Sequence, residues 1–281
     1  MIKGLGTALI TPFKADGAVD YEALKRVLDG QIKGKVDFLV VLGTTGEAVT
    51  MTQKEREEVR TFIREYVNGR LPLVLGVGGN NTAAVCESLR TIDLSGFEAI
   101  LSVCPFYNKP NQEGLYQHFC AIAKASPIPV VLYNVPGRTG VNLLPETAMR
   151  IYEACPDKIM GVKEASGNLE QIKKLISLSG EAGLLVFSGD DGIACEVMEA
   201  GGAGLISVAS NAFPEDFGDI VRKKDQAKQA QYDQMVKLLF KEGNPTGIKA
   251  VLAQKGMIEN YLRLPLVPAS EELQGELKGE R

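Results

Sequence analysis

The chain has 281 residues, 45% of them apolar, and a formal net charge of −4. That length admits one large α/β barrel or two small domains, and the acidic balance argues against a nucleic-acid or anionic-membrane surface. Five cysteines (Cys86, Cys104, Cys120, Cys155 and Cys195) are scattered, odd in number and without C-x-x-C spacing, the usage of free thiols in a reducing cytosol.

From the N-terminus, Met1-Ile2-Lys3-Gly4-Leu5-Gly6 lacks the apolar core of a signal peptide, and no later run reaches membrane-spanning length. Eight short β-rich runs then recur: Gly6–Pro12, Asp37–Gly43, Pro72–Gly78, Glu98–Cys104, Pro129–Val135, Ile159–Ala165, Leu184–Gly189 and Gly204–Ser210. Most are continuously apolar, as expected of parallel strands covered on both faces. Helical patterns lie between them: Tyr21–Lys33, a helix opened by the capping box Thr52-Gln53-Lys54-Glu55 and running to Asn68, Asn81–Leu94, Gln112–Ala125, Leu144–Cys155, Leu169–Leu178 and Gly192–Ala200. The single histidine, His118, sits in one of these patterns with Leu115, Phe119 and Ile122. One histidine rules out a multi-histidine metal site, and a partly buried structural role is expected for it.

Strands recurring every ~20–35 residues are βα units, and eight of them predict a (β/α)8 TIM barrel. A doubly wound open sheet is the alternative, but its usual Gly-rich phosphate turn is missing. The first strand runs instead into Thr11-Pro12-Phe13-Lys14. Beyond Ser210 the pattern is only helical, over Pro214–Gln229, Tyr232–Lys241, Thr246–Gln254 and Ala269–Arg281. The expected organisation is a catalytic barrel over 1–213 and a C-terminal helical region over 214–281.

Barrels of this kind carry their chemistry at the C-terminal strand ends. The sixth run, Ile159-Met160-Gly161-Val162-Lys163-Glu164-Ala165, ends in a lysine. Burying an ammonium favours the neutral amine, a nucleophile able to form a Schiff base with a carbonyl. An edge-strand lysine reaching solvent fits the same segment. The second strand ends in Gly43-Thr44-Thr45-Gly46-Glu47, whose hydroxyls and backbone N–H groups suit a carboxylate. The fifth ends in Tyr133-Asn134-Val135-Pro136-Gly137-Arg138-Thr139-Gly140, and the seventh in Ser188-Gly189-Asp190-Asp191. Singly, each has a plainer explanation: turn threonines, a core tyrosine, a surface arginine, a helix-capping aspartate. Their placement at one end of successive strands joins an amine, hydroxyl groups and a cation, the parts a Schiff-base site needs.

With Tyr107-Asn108-Lys109-Pro110, Gln112-Glu113-Gly114-Leu115-Tyr116, Lys163-Glu164-Ala165, Asn244-Pro245 with Lys249, and Leu262-Arg263-Leu264-Pro265, these motifs follow one another over nearly the whole chain. In that order they resemble the dihydrodipicolinate synthase family, the lysine-pathway branch of the pyruvate-dependent, Schiff-base class I aldolases. The resemblance implies a lyase in which Lys163 forms a covalent imine with pyruvate, with no other cofactor and no metal, and the derived enamine attacks aspartate semialdehyde. It implies a proton relay of Thr44, Tyr133 and Tyr107, with Tyr107 supplied across a homodimer interface, and commonly a homotetramer in the cytoplasm. Thr45 would hold the pyruvate carboxylate, Arg138 would grip that of aspartate semialdehyde, and the backbone near Gly189 and Ile206 would line the pyruvate pocket. A sister aldolase for N-acetylneuraminate or 2-keto-3-deoxy-sugar acids, or a catalytically silent binding relative, would share much of this pattern. Arg138 beside paired threonines favours the synthase.

The same resemblance marks a departure. Members inhibited by lysine typically carry a serine at position 48, histidines at 53 and 56, an asparagine at 80, a glutamate at 84 and a tyrosine at 106. This chain has Ala48, Gln53, Arg56, Asn80, Ala84 and Phe106. A bound lysine would lose its carboxylate partner and gain a like charge, so insensitivity to millimolar lysine is expected.

Overall fold

The computed structural model describes residues 2–280, so the Arg281 end of the expected last helix lies outside the described residues. Eight parallel strands close into a barrel in sequence order: β1 Gly4–Ala8, β2 Phe38–Val41, β3 Leu73–Gly76, β4 Ala99–Val103, β5 Val130–Asn134, β6 Ile159–Glu164, β7 Leu185–Ser188 and β8 Gly204–Ser207. Closure is made by β1 pairing with β8, with Gly4 to Thr7 opposite Gly204 to Ser207. An open doubly wound sheet is thereby excluded.

The continuous apolar runs are explained by two clusters on opposite faces of the strands. Phe38, Val40, Val74, Leu101, Val131, Tyr133, Phe187 and Ile206 fill the barrel interior. Leu39, Val41, Leu75, Ile100, Val130, Leu132, Val162 and Val186 face the surrounding helices. Phe38 lies where a side chain on Gly6 would stand, about 2.2 Å from an added Cβ, so the interior layer fits only because β1 is bare at that position. Phe38 and Phe187 meet edge to face, with centroids 5.9 Å apart.

Several helices between the strands start where short polar side chains accept from the first turn. The helices α1 Tyr21–Lys33, α2 Gln53–Val67, α3 Thr82–Thr91 and α4 Gln112–Ala125 are capped by Asp20, Thr52, Asn81 and Asn111. Both halves of the Thr52–Glu55 capping box are formed. The ring continues through α5 Pro136–Thr139, α6 Pro145–Ala154, α7 Leu169–Ser179, α8 Ala194–Glu199 and α9 Pro214–Lys223, the last packed on β1 and β8. Three further helices follow, α10 Gln226–Lys241, α11 Thr246–Gln254 and α12 Glu271–Gly279.

Several expected boundaries move: β1 is Gly4–Ala8 rather than Gly6–Pro12, and α3 ends at Thr91 rather than Leu94. The pattern Pro214–Gln229 is broken at Lys224, which adopts φ 53°, and Asp225 restarts the chain as an N-cap accepting from Lys228 N–H. Gln226–Gln229 therefore belongs to α10. Among the described residues no helix is long and apolar enough to cross a membrane.

Candidate active site

Strand alternation places Lys163 on the interior face of β6. Its neighbours in register are Tyr133 on β5 and Phe187 on β7, both in the interior cluster. The side chain is 6% exposed, so it does not escape to solvent as an edge-strand lysine would. Its Nζ lies 4.4 Å from the centroid of the Tyr133 ring. Among the described residues no carboxylate pairs with it. Gly189 makes room for the stem: a Cβ there would stand 3.0 Å from Lys163 Cε and 2.6 Å from Ala165 Cβ. Ile206, 2% exposed, belongs to the same interior layer.

The next residue, Glu164, points the other way into the helix layer. Its carboxylate accepts from Asn134 Nδ2 at 2.9 Å, Gln171 Nε2 at 3.0 Å and Ser166 N–H at 2.8 Å. Three donors satisfy the buried carboxylate and hold the β5 and β6 ends together. Nearby Cys104 is no competing nucleophile, because burial and, secondarily, the Glu164 carboxylate push its thiol well above the usual range.

Thr44 and Thr45 form a tight turn, Thr44–Gly46, directly after β2. Thr44 is exposed toward a cavity of about 780 Å³ whose walls also include Tyr133 and Arg138. Thr45 is buried, and its Oγ1 accepts from Asn244 Nδ2 at 2.9 Å. Arg138, on the short α5 turn, donates from Nη2 to the carbonyl of the same Asn244 at 3.1 Å. The turn is held from below by Glu47, which takes left-handed backbone at φ 53°. Its carboxylate forms a fully buried ion pair with Lys249 and accepts from Arg263 N–H at 3.1 Å. Burial pulls the Lys249 ammonium down to about 8 against the opposing pull of Glu47. Lys249 and Arg263 also flank the ring of Phe13, at 4.3 and 4.4 Å from its centroid.

The Ser188-Gly189-Asp190-Asp191 motif divides its work. Asp190 caps the following turn, accepting from Gly192 N–H at 2.9 Å. Asp191 is buried and accepts from Val208 N–H at 3.0 Å and Ala209 N–H at 3.1 Å, tying the end of β7 to the turn after β8. Burial raises its carboxyl to about 6. His118, expected to be partly buried, is almost fully so; its Nδ1 lies 2.8 Å from Thr82 Oγ1, between α4 and α3.

Tyr107 stands apart from the other expected site residues. It is 90% exposed, on left-handed backbone at φ 74°, and is not part of the cavity wall of its own chain, although the adjacent Phe106 is. Sequence reasoning quoted Asn244, Lys249 and Arg263 without giving them tasks. The available signal was Lys249 itself, a charge inside the otherwise apolar Thr246–Gln254 pattern, which demands a buried partner.

The Dihydrodipicolinate synthetase family model matches residues 1–280 of this chain. The 4-hydroxy-tetrahydrodipicolinate synthase of Flavobacterium psychrophilum is 50% identical over 281 residues, covering 98% of this chain and 95% of that relative. The crystal structure of a dihydrodipicolinate synthase from Thermotoga maritima matches with a TM-score of 0.96 at 40% identity, over 100% of this chain and 97% of the other. A chloride-inhibited dihydrodipicolinate synthase from Acinetobacter baumannii, complexed with pyruvate, matches with a TM-score of 0.95 at 37% identity, over 100% and 98%.

Proposed function

This chain belongs to the dihydrodipicolinate synthetase family, and from that premise we propose how its own residues carry the reaction. The activity is that of a 4-hydroxy-tetrahydrodipicolinate synthase, an aldol-type lyase that condenses pyruvate with aspartate semialdehyde through a Schiff base in lysine and diaminopimelate biosynthesis.

Lys163 Nζ attacks the ketone carbon of pyruvate. The carbinolamine loses water and leaves an iminium joined to the lysine. That iminium is the electron sink: a methyl proton departs, its C–H electrons form the enamine, and the enamine carbon bonds to the aldehyde carbon of aspartate semialdehyde. The aldehyde oxygen takes a proton and becomes a hydroxyl. The amino group of the second substrate then attacks the imine carbon, the bond to Nζ breaks, and a six-membered ring leaves with the lysine restored. No step calls for a metal or an organic cofactor.

Thr44, Tyr133 and Tyr107 move the protons; hydroxyl groups do so without placing a fixed charge beside the amine. Thr45 holds the pyruvate carboxylate, with Gly189 and Ile206 lining the pocket around the bound ketoacid. Arg138 offers the second carboxylate a planar fork that a lysine lacks. The single observation that carries this reading is buried Lys163, without a carboxylate partner among the described residues, against the ring of Tyr133, which itself shares a cavity wall with Thr44 and Arg138.

Tyr107 acts from a second copy of the chain, so the working unit is a homodimer, two of which form a homotetramer. Its exposure outside its own cavity, next in the chain to exposed Phe106, supports that assignment. The five cysteines are free, in keeping with a cytoplasmic setting. A coupled assay of product formation from pyruvate and aspartate semialdehyde tests the reaction, with N-acetylneuraminate and 2-keto-3-deoxygluconate as controls. Turnover of either control in place of the synthase reaction would overturn it. Subunit mixing tests the relay: Lys163→Ala and Tyr107→Phe enzymes, each weak alone, should regain activity when mixed and re-associated. No gain in the mixed oligomer would place Tyr107 in its own chain's site.

A further inference from the structure

Asn244 touches both groups assigned above to the two substrate carboxylates, although it comes from the helical region beyond the barrel. Its side chain donates from Nδ2 to Thr45 Oγ1 at 2.9 Å, and its backbone carbonyl accepts from Arg138 Nη2 at 3.1 Å. The residue is 7% exposed, and its Oδ1 has no hydrogen-bond partner among the described residues. That orphan acceptor is informative. A buried amide oriented only for its own satisfaction would engage both ends. Here the nitrogen end is spent on the threonine while the oxygen end goes without.

A threonine hydroxyl has one proton to give and lone pairs to accept with. When Asn244 Nδ2 fills a lone pair of Thr45 Oγ1, the Thr45 proton is left free for another acceptor. A carboxylate is the acceptor that most rewards such a donor. If the partner of Thr45 were itself an acceptor, the hydroxyl proton would be drawn to it and turned from the substrate.

We propose that Asn244 is a positioning residue that sets the direction of the Thr45 hydroxyl proton toward the pyruvate carboxylate, while its backbone carbonyl fixes the reach of Arg138. The inference rests on the roles given above to Thr45 and Arg138. Because the Arg138 contact is made by backbone, side-chain substitution separates the two effects. Asn244→Ala removes a donor to Thr45 but leaves its hydroxyl free to rotate. Asn244→Asp keeps size and shape, accepts the hydroxyl proton and adds a negative charge near the site of an anion.

The measurement is the pyruvate concentration giving half-maximal borohydride trapping on Lys163, for the intact enzyme, Asn244→Ala, Asn244→Asp, Thr45→Val and the double variant Thr45→Val with Asn244→Asp. The near-isosteric Asn244→Asp should be the worse of the two single changes, raising the half-saturating pyruvate by roughly ten- to a hundredfold, the effect of losing one charge-assisted hydrogen bond. In the Thr45→Val background the same change should add less, because the hydroxyl it acts through is gone and only the added charge still acts. Its effect on the KM for aspartate semialdehyde should be smaller than on pyruvate. Asn244→Ala proving equal to or worse than Asn244→Asp, with both variants folded, would reduce Asn244 to a packing residue. An undiminished effect without the threonine hydroxyl would also overturn the inference. Failure of the unaltered enzyme to trap pyruvate on Lys163 would instead sink the reading of the site, a result these variants cannot produce.

Discussion

Two regions line the same cavity and are built by opposite rules. At the barrel mouth, the functional groups are tied by residues remote in sequence. Thr45 is bonded across 199 positions to Asn244, and Arg138 across 106 positions to the same residue. In the groove between α2 and α3, Ala48, Gln53, Arg56, Ala84 and Phe106 occupy the wall positions that lysine-sensitive members equip with hydroxyl, imidazole, carboxylate and phenol groups. Asn80 alone matches there, and it is engaged in holding a loop: its Nδ2 donates to the Phe106 carbonyl, and its own carbonyl accepts from Asn108. Arg60 is buried, with no hydrogen-bond partner for its Nε among the described residues, and Glu57 and Asp93 share the wall. Thr45 and Arg138 cannot change without releasing a distant partner. The groove positions face open space and can change singly.

The contrast breaks most visibly at Lys163. Replacement by Ala should cost at least ~10³-fold in turnover, about 4 kcal/mol. Replacement by Arg should recover nothing, because a guanidinium stays protonated and cannot attack. Reduction with borohydride in the presence of pyruvate, followed by peptide mass mapping, should find the adduct on Lys163 alone; an adduct elsewhere refutes the assignment.

The next effect is at Arg138, proposed above to hold the second carboxylate. Arg138→Lys keeps the charge and loses the fork, so kcat/KM for aspartate semialdehyde should fall by roughly 1–3 kcal/mol while pyruvate trapping is spared. Equal damage to both substrates would mean that the arginine has another task.

Acid should sharpen the comparison by loosening the groove first. His118 links α4 to Thr82 at the start of α3, and burial pulls its imidazole down from 6.5 to about 4. The folded value is the lower one, so the unfolded chain takes up the proton first. The stability contributed by neutral His118 is present above pH 6.5 and lost as the pH falls toward 4, by roughly 2 kcal/mol at pH 5. Urea unfolding at pH 7 and pH 5 should register that loss, and His118→Gln should lessen it. Hydrogen exchange should find α3 amides opening before those of β5 and β6. A pH dependence unchanged by the substitution would assign the acid response to other groups.

The smallest expected effect is none. At sub-saturating pyruvate, free lysine should not half-inhibit the enzyme below about a millimolar, a binding free energy near 4 kcal/mol. Tighter inhibition would mean that the groove supplies a carboxylate partner from residues other than position 84.

Much of the architecture could be read from local signals. Tyr21–Lys33, Gln112–Ala125 and Thr246–Gln254 were legible end to end because apolar periodicity and boundary residues agree there. The break at Lys224 was not, since a lysine carries no sign that it will take left-handed backbone. The site divides in the same way. Lys163, Thr44, Tyr133 and Arg138 were visible as polar residues at strand ends, and geometry unites Tyr133 and Lys163 through strand register. The tasks of the supports Asn244, Glu47 and Arg263 were not visible, although their motifs were, because each acts through a partner 106 to 216 positions away and no periodicity encodes such a pairing.

The Glu47–Lys249 pair and the Asn244 bridge also bear on the order of synthesis. A chain leaving the ribosome can fold from its N-terminal end as it emerges. All eight strands, with Lys163 among them, precede Asn244, Lys249 and Arg263 in the chain. The loop after β2 therefore has no latch until the final helices are made. An interrupted translation product would hold Lys163 without the fastening of the β2 loop, which only the completed polypeptide supplies.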